Sequence, residues 1–147
     1  RIVGGGSEGI SKLAVLRAGR ILETSLYAED LQAAEAFYSR VLGLNPFAKE
    51  QGRHLFYRCG EAVFLIFNPE ATAKEGGGVP RHGARGRGHI AFAVSDGELE
   101  GWRAQLGQEG VEIEAEVSWP KGGRSLYFRD PAGNSLELAT PQTWGFS

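Results

Sequence analysis

An α+β fold built from two β-α-β-β-β units is predicted by three observations: stretches with strand and helix periodicity follow one another in a fixed order, each half carries one helix pattern, and the sequence repeats once. The repeat is visible residue by residue. Leu26, Ala28 and Asp30 correspond to Phe92, Val94 and Asp96 at an offset of 66. The segment Gly52-Arg53-His54-Leu55-Phe56-Tyr57-Arg58 corresponds to Gly123-Arg124-Ser125-Leu126-Tyr127-Phe128-Arg129 at 71, and Leu65 and Pro69 correspond to Glu137 and Pro141 at 72. A period this long, present twice, marks a duplicated supersecondary unit rather than a solenoid array.

The elements follow in order. Residues 1–20, with Gly4-Gly5-Gly6 and Gly9, show no sustained period and read as an N-terminal tail. Module 1 spans residues 21–70, a linker 71–87, and module 2 residues 88–147. In module 1 a strand pattern from Ile21 to Ala28 leads to Asp30, whose side chain suits a helix N-cap. Leu31, Ala34, Phe37, Tyr38, Val41 and Leu42 then fall on one helical face, and Gly43 suits the left-handed turn that ends it. Two strand candidates follow, over 52–58 and 62–67, joined at Cys59-Gly60-Glu61. Module 2 repeats the order: a strand from His89 to Val94, Asp96 as cap, a helix carrying Leu99, Trp102 and Leu106 that stops near Gly107–Gly110, and two further strands.

Composition excludes several classes of function. The chain has 147 residues, 41% of them apolar, which is enough for one hydrophobic core without disulfides. Its 16 basic and 18 acidic residues give a net charge of −2, lacking the basic excess of a dedicated nucleic-acid binder. Cys59 is the single cysteine, so an internal disulfide, a CxxC pair and a multi-cysteine zinc site are excluded. The run Leu13-Ala14-Val15-Leu16 is too short for a membrane span or a signal-peptide core, and a reducing, cytoplasmic location is expected.

With one helix per unit, one face of each sheet is covered and the other is left to line a cavity. Period-2 alternation sorts the residues. Ile90, Phe92 and Val94 belong under the helix, whereas His89, Ala91 and Ala93 belong on the open side, where the alanines leave room for a ligand. Leu136 and Leu138 are core positions, which turns Ser135, Glu137 and Ala139 outward. Ser125, Tyr127 and Arg129 join Glu137, and Glu23 holds in module 1 the place of His89 in module 2. Glu23, His89 and Glu137 are therefore expected to point into one cavity as metal ligands.

These residues resemble the vicinal-oxygen-chelate superfamily, which includes glyoxalase I, fosfomycin- and bleomycin-resistance proteins and extradiol dioxygenases. The resemblance runs from about Ile21 to Trp144. It is carried by Asp30-Leu31, Phe37-Tyr38 and Leu42-Gly43-Leu44, by Gly88-His89-Ile90-Ala91-Phe92-Ala93-Val94, and by Asp130-Pro131-Ala132-Gly133-Asn134 with Leu136-Glu137-Leu138. It implies a curved, eight-stranded mixed sheet with metal ligands on the first and last strands of each module. His89 and Glu137 match the family's ligand types; Glu23 stands where His is usual, and Leu65 occupies the fourth position. Leucine cannot bind a metal or move a proton, which speaks against the four-ligand glyoxalase I arrangement. The resemblance further implies a homodimer in which Glu23 of one chain joins His89 and Glu137 of its partner, and it places Ser125 and Tyr127 at substrate-contacting positions.

Three protein ligands that leave positions open describe a catalytic divalent site. The oxygen-rich donor set suits Mn, Fe or Mg, with Zn and Ni remaining compatible. The expected activity is metal-dependent, on a small substrate with neighbouring oxygens, by isomerisation, ring-opening oxygenation or thiol addition. Tyr127, His54 and Ser125 are candidate catalytic groups, and Arg58 and Arg129 candidate contacts to substrate anions. Cys59 reads as inert. The glycine-rich linker with Lys74, Arg81, His82, Arg85 and Arg87 reads as solvated, or alternatively as a lid that recruits an anion. Phe47, Trp119, Trp144 and Phe146 are candidates to cover the cup or a subunit contact. The rival class is a metal-free small-molecule-binding protein of the bleomycin-resistance kind. A purely structural domain would instead have Ala91 and Ala93 packed over.

Overall fold

A computed structural model describes residues 15–74 and 76–147; the tail assignment for positions 1–14 lies outside the described residues, and 15–20 are exposed coil. Strand β1 (Glu23–Tyr27) leads into helix α1 (Leu31–Leu42). The Asp30 carboxylate accepts from the Ala33 N–H at 3.0 Å, and Gly43 closes the helix at φ 67°. The helix buries the six expected apolar residues, Leu31 through Leu42. Strands β2 (Ala48–Glu50), β3 (His54–Cys59) and β4 (Ala62–Phe67) complete the sheet. A one-turn helix α2 (Pro69–Thr72), capped by Asn68, follows β4.

Module 2 repeats the plan with β5 (His89–Ala93), α3 (Leu99–Gln108), β6 (Ala115–Ser118), β7 (Arg124–Arg129) and β8 (Ser135–Ala139), then a 3-10 turn at Pro141–Trp144. A second 3-10 turn, Asp96–Glu98, precedes α3, and Ser95 rather than Asp96 caps it. The reason is chemical: Glu98 reaches back to the Ser95 N–H at 2.9 Å and its hydroxyl at 3.0 Å, while the Asp96 carboxylate accepts from Arg124 at 3.1 and 3.2 Å.

The eight strands form two four-stranded mixed sheets, ordered β1-β4-β3-β2 and β5-β8-β7-β6. The duplication persists in the register. Glu23 pairs with Val63 as His89 pairs with Ser135, and Leu65 sits between Ser25 and Phe56 as Glu137 sits between Ala91 and Tyr127.

Both helix-covered faces feed one core, which contains Leu26, Phe37, Tyr38 and Phe64 from module 1 and Leu99, Leu126, Phe128 and Leu138 from module 2. The Phe37 and Phe128 rings lie 6.5 Å apart, and Phe64 meets Phe92 edge-on at 5.7 Å. Burying such side chains contributes about 1.5–3 kcal/mol each. The Tyr38 hydroxyl donates to Asp130 at 2.7 Å, and Asn134 Nδ2 donates to the Tyr27 carbonyl at 3.2 Å. The open face of each sheet lies on the side opposite its own helix-covered face. The strands that begin each module, β1 and β5, are free sheet edges.

Candidate metal centre

On the open face of module 2, parallel pairing sets His89 against Ser135 and Ala91 against Glu137. His89 Nδ1 lies 3.0 Å from the Ser135 carbonyl oxygen. A carbonyl only accepts, so Nδ1 carries a proton, and a neutral ring in this pose has its lone pair on Nε2. That nitrogen lies 3.2 Å from Glu137 Oε1. Two electron-pair donors thus face one point, and a shared proton or a cation must lie between them. An imidazole whose other nitrogen donates to a backbone carbonyl is the usual state of a histidine ligand.

Glu137 is 7% exposed, and its second oxygen accepts from the Ser125 hydroxyl at 2.5 Å. Ser125 is fully buried and itself accepts from the Trp119 indole N–H at 2.9 Å. The Tyr127 ring stacks against His89 with centroids 6.4 Å apart. Burial, the Glu137 charge and a hydrogen bond to that carboxylate push the Tyr127 phenol above its ordinary pKa, keeping it a proton donor at neutral pH. Ala91 and Ala93 are exposed, so this face is open rather than filled.

The structure brings His89, Glu137, Ser125 and Tyr127 together and leaves Glu23 out. Glu23 lies on β1 in the other sheet, and no group of three or more His, Cys, Asp or Glu side chains able to hold a metal occurs among the described residues. Within one chain the set is thus His89 and Glu137 without Glu23, which accords with the expectation that Glu23 is supplied by a partner chain. His54 and Arg58 also lie on the module 1 sheet. The His54 ring stacks on Phe56 at 3.9 Å, and its Nδ1 accepts from Arg53 at 2.7 Å. Arg58 lies over the exposed Phe47 ring at 5.0 Å. Arg129 has its guanidinium engaged by the Glu114 carboxylate at 3.0 Å and by the Gly133 carbonyl at 3.1 Å. Burial raises the pKa of the Cys59 thiol, in line with an inert residue. Leu65 is buried at the position equivalent to Glu137.

Trp119 is the functional candidate whose role sequence patterning missed. Its signal was an indole N–H, which needs a partner when buried, close in sequence to a hydroxyl on the open face. Clefts of about 430 and 750 Å³ open beside the start of α1, and neither is lined by His89 or Glu137.

A family model described as the Glyoxalase/Bleomycin resistance protein/Dioxygenase superfamily matches residues 20–138. The chain belongs to this superfamily. Similar curated members are the metallothiol transferase FosB of Bacillus licheniformis, 30% identical over 76% of this chain and 68% of that protein, and the glutathione transferase FosA of Serratia marcescens, 32% identical over 78% and 75%. Among solved members, a lactoylglutathione lyase from Agrobacterium tumefaciens superposes with a TM-score of 0.85 at 40% identity, covering 89% of this chain and all of that one. The superfamily thus includes both transferases and lyases. No helix among the described residues is long and apolar enough to cross a membrane.

Proposed function

We propose that this protein is a metal-dependent enzyme of thiol chemistry, a transferase or lyase, acting on a small substrate with two neighbouring oxygens. The observation that carries the reading is the His89–Glu137 pair: Nε2 and Oε1 lie 3.2 Å apart, with the imidazole proton fixed on the opposite nitrogen. One chain supplies two ligands, and Glu23 of a second copy is the third. Two features support a second copy. Both ligand-bearing leading strands are free edges, and Ile21 and Leu22, just ahead of Glu23, are 76% and 62% exposed. Apolar surface of this kind marks an interaction site. Pairing β1 of one chain beside β5 of another joins the two four-stranded sheets into the eight-stranded cup.

The donor set of one imidazole and two carboxylates fits a divalent ion, among Mn, Fe, Ni, Zn and Mg. Such an ion supplies a positive charge that stabilises negative charge developing on a substrate oxygen. The chain's own residues do the rest. His89 and Glu137 fix the site on two adjacent strands, Ala91 and Ala93 leave room above it, and Tyr127 holds a proton where a substrate oxygen arrives. Isomerisation between two carbons needs a base to carry a proton, and the place where the resemblance puts that carboxylate holds Leu65. Addition of a thiol needs no base there, and the names of all three relatives above concern thiols or a glutathione adduct.

Metal uptake by chelator-stripped protein tests this. Ligand binding to the native state at 100 times its dissociation constant adds about 2.7 kcal/mol of stability. Manganese should therefore raise the Tm of the wild type, with most of the rise lost in His89→Ala and Glu137→Gln. No uptake, and equal melting of all three proteins, would overturn the reading in favour of a metal-free binding protein.

A further inference from the structure

We propose that Trp119 is a positioning residue that acts through the Ser125 hydroxyl to make Glu137 a ligand through one chosen oxygen. The proposal rests on the metal reading above. The direction of the chain of bonds follows from valence alone. An indole N–H only donates, so Ser125 Oγ accepts from Trp119 at 2.9 Å. An ionised carboxylate only accepts, so the single hydroxyl proton goes to Glu137 Oε2 at 2.5 Å. With Oε2 engaged, Oε1 is the oxygen presented to His89 Nε2. Ser125 is fully buried and both of these bonds are made, so its hydroxyl is an outer support of the site rather than a surface offered to substrate.

The duplication gives an independent comparison. Facing residues relate the β2–β3 pair to the β6–β7 pair at an offset of 67 on the leading strand, where Ala48 opposite Phe56 becomes Ala115 opposite Tyr127. The offset on the following strand is 71, from Phe56 to Tyr127. The second hairpin therefore carries four extra residues between equivalent facing pairs, Val117 with Ser125 against Glu50 with His54, in the stretch that contains Trp119. Module 1 lacks that insertion, and it has His54 in place of Ser125 and Leu65 in place of Glu137. Indole, hydroxyl and carboxylate occur together in one half and are all missing from the other. The extra turn is itself braced, since the backbone N–H of Trp119 donates to the Gly123 carbonyl at 2.7 Å and the Gly122 N–H returns to the Trp119 carbonyl at 2.9 Å.

The experiment uses the full chain with Mn²⁺ as probe, in the wild type, Trp119→Phe, Ser125→Ala and the double variant. Losing an outer partner of a ligand typically weakens metal binding about 10–100-fold, and that range is expected for Ser125→Ala. Trp119→Phe, which keeps the ring and deletes the N–H, should weaken binding about 3–10-fold. Because the indole acts only through the hydroxyl, the double variant should bind no more weakly than Ser125→Ala. A second readout needs no metal: the chain has three tryptophans, and the indole N–H resonance of Trp119 should move markedly in Ser125→Ala, whatever the stability of Trp119→Phe. Wild-type uptake of manganese with Trp119→Phe unchanged within about twofold, additive losses in the double variant, or an indole resonance indifferent to Ser125→Ala would each overturn the inference alone. A wild type that takes up no manganese would overturn the proposed function and this inference together.

Discussion

The same structural position holds different chemistry in the two halves, and the difference decides what each half does. Glu137 faces His89 from a buried strand, whereas Leu65 fills its counterpart in module 1, where Glu23 holds the position equivalent to His89. His54 shows how the module 1 face is tuned. Burial first, and then the Arg53 guanidinium, hold its pKa below the ordinary value, with Glu50 opposing. The ordinary value is about 6.5, so between that pH and the folded-state value the unfolded chain binds more protons than the native one. The contribution of His54 to stability is thus full above about pH 6.5 and lost as pH falls through the folded-state pKa. Proton NMR of the imidazole should give a midpoint below the ordinary value, and Arg53→Met should move it upward. A wild-type midpoint at or above the ordinary value would contradict this account. The duplication equates His54 with Ser125 of the open face, but its stacking on Phe56 depends on side-chain packing that no pattern of residue types encodes.

At the scale of elements, long segments with a clear period were legible and short ones were not. The apolar stripe of α1, its Asp30 cap and the Gly43 stop all lie where the pattern put them, because six buried residues over three turns leave one consistent face. Strand β2 is three residues, Ala48-Lys49-Glu50, with no β-branched residue and no alternation. It exists through its backbone pairing with β3, a long-range fact invisible locally. Helix α2 is a single turn, and the Ser95 cap was missed because Asp96 is as good a capping residue in isolation. The β6–β7 turn holds a further constraint of this kind. A Cβ on Gly123 would lie 2.1 Å from the Thr143 nitrogen, so the turn and the Pro141–Trp144 segment meet backbone to backbone. Gly123→Ala must push them apart, at a cost of about 1–3 kcal/mol typical of overpacking, and should also weaken manganese binding by displacing Trp119. Gly97→Ala, where a Cβ meets nothing within 4 Å, is the control and should shift stability by no more than about 0.5 kcal/mol. Urea denaturation of both variants measures the difference, and equal midpoints would count against the close approach.

For the whole molecule, the question is how a site divided between two sheets is completed. Alternation and the duplication predict that three ligands share a cavity, and the register places Glu23 and His89 at equivalent positions. Sequence patterning could not show that Glu23 and His89 would lie in different four-stranded sheets with no cluster of three ligands among the described residues of one chain. In the proposed twofold pair of chains, β1 of each would lie beside β5 of the other and the set would be completed at two equivalent sites. This arrangement has a consequence that a single-chain site does not share. In a mixed dimer of Glu23→Ala and His89→Ala chains, one site takes Glu23 from the second chain and His89 with Glu137 from the first, and is wholly intact. The other site lacks both groups. After random exchange half the dimers are mixed, so about a quarter of all sites should recover wild-type manganese affinity, although neither parent binds normally. Calorimetric titration before and after exchange, with mixing confirmed by mass-tagged chains, reads this directly. Confirmed exchange without recovered sites would mean that no ligand crosses between chains, and His89 and Glu137 would then need a third partner other than Glu23.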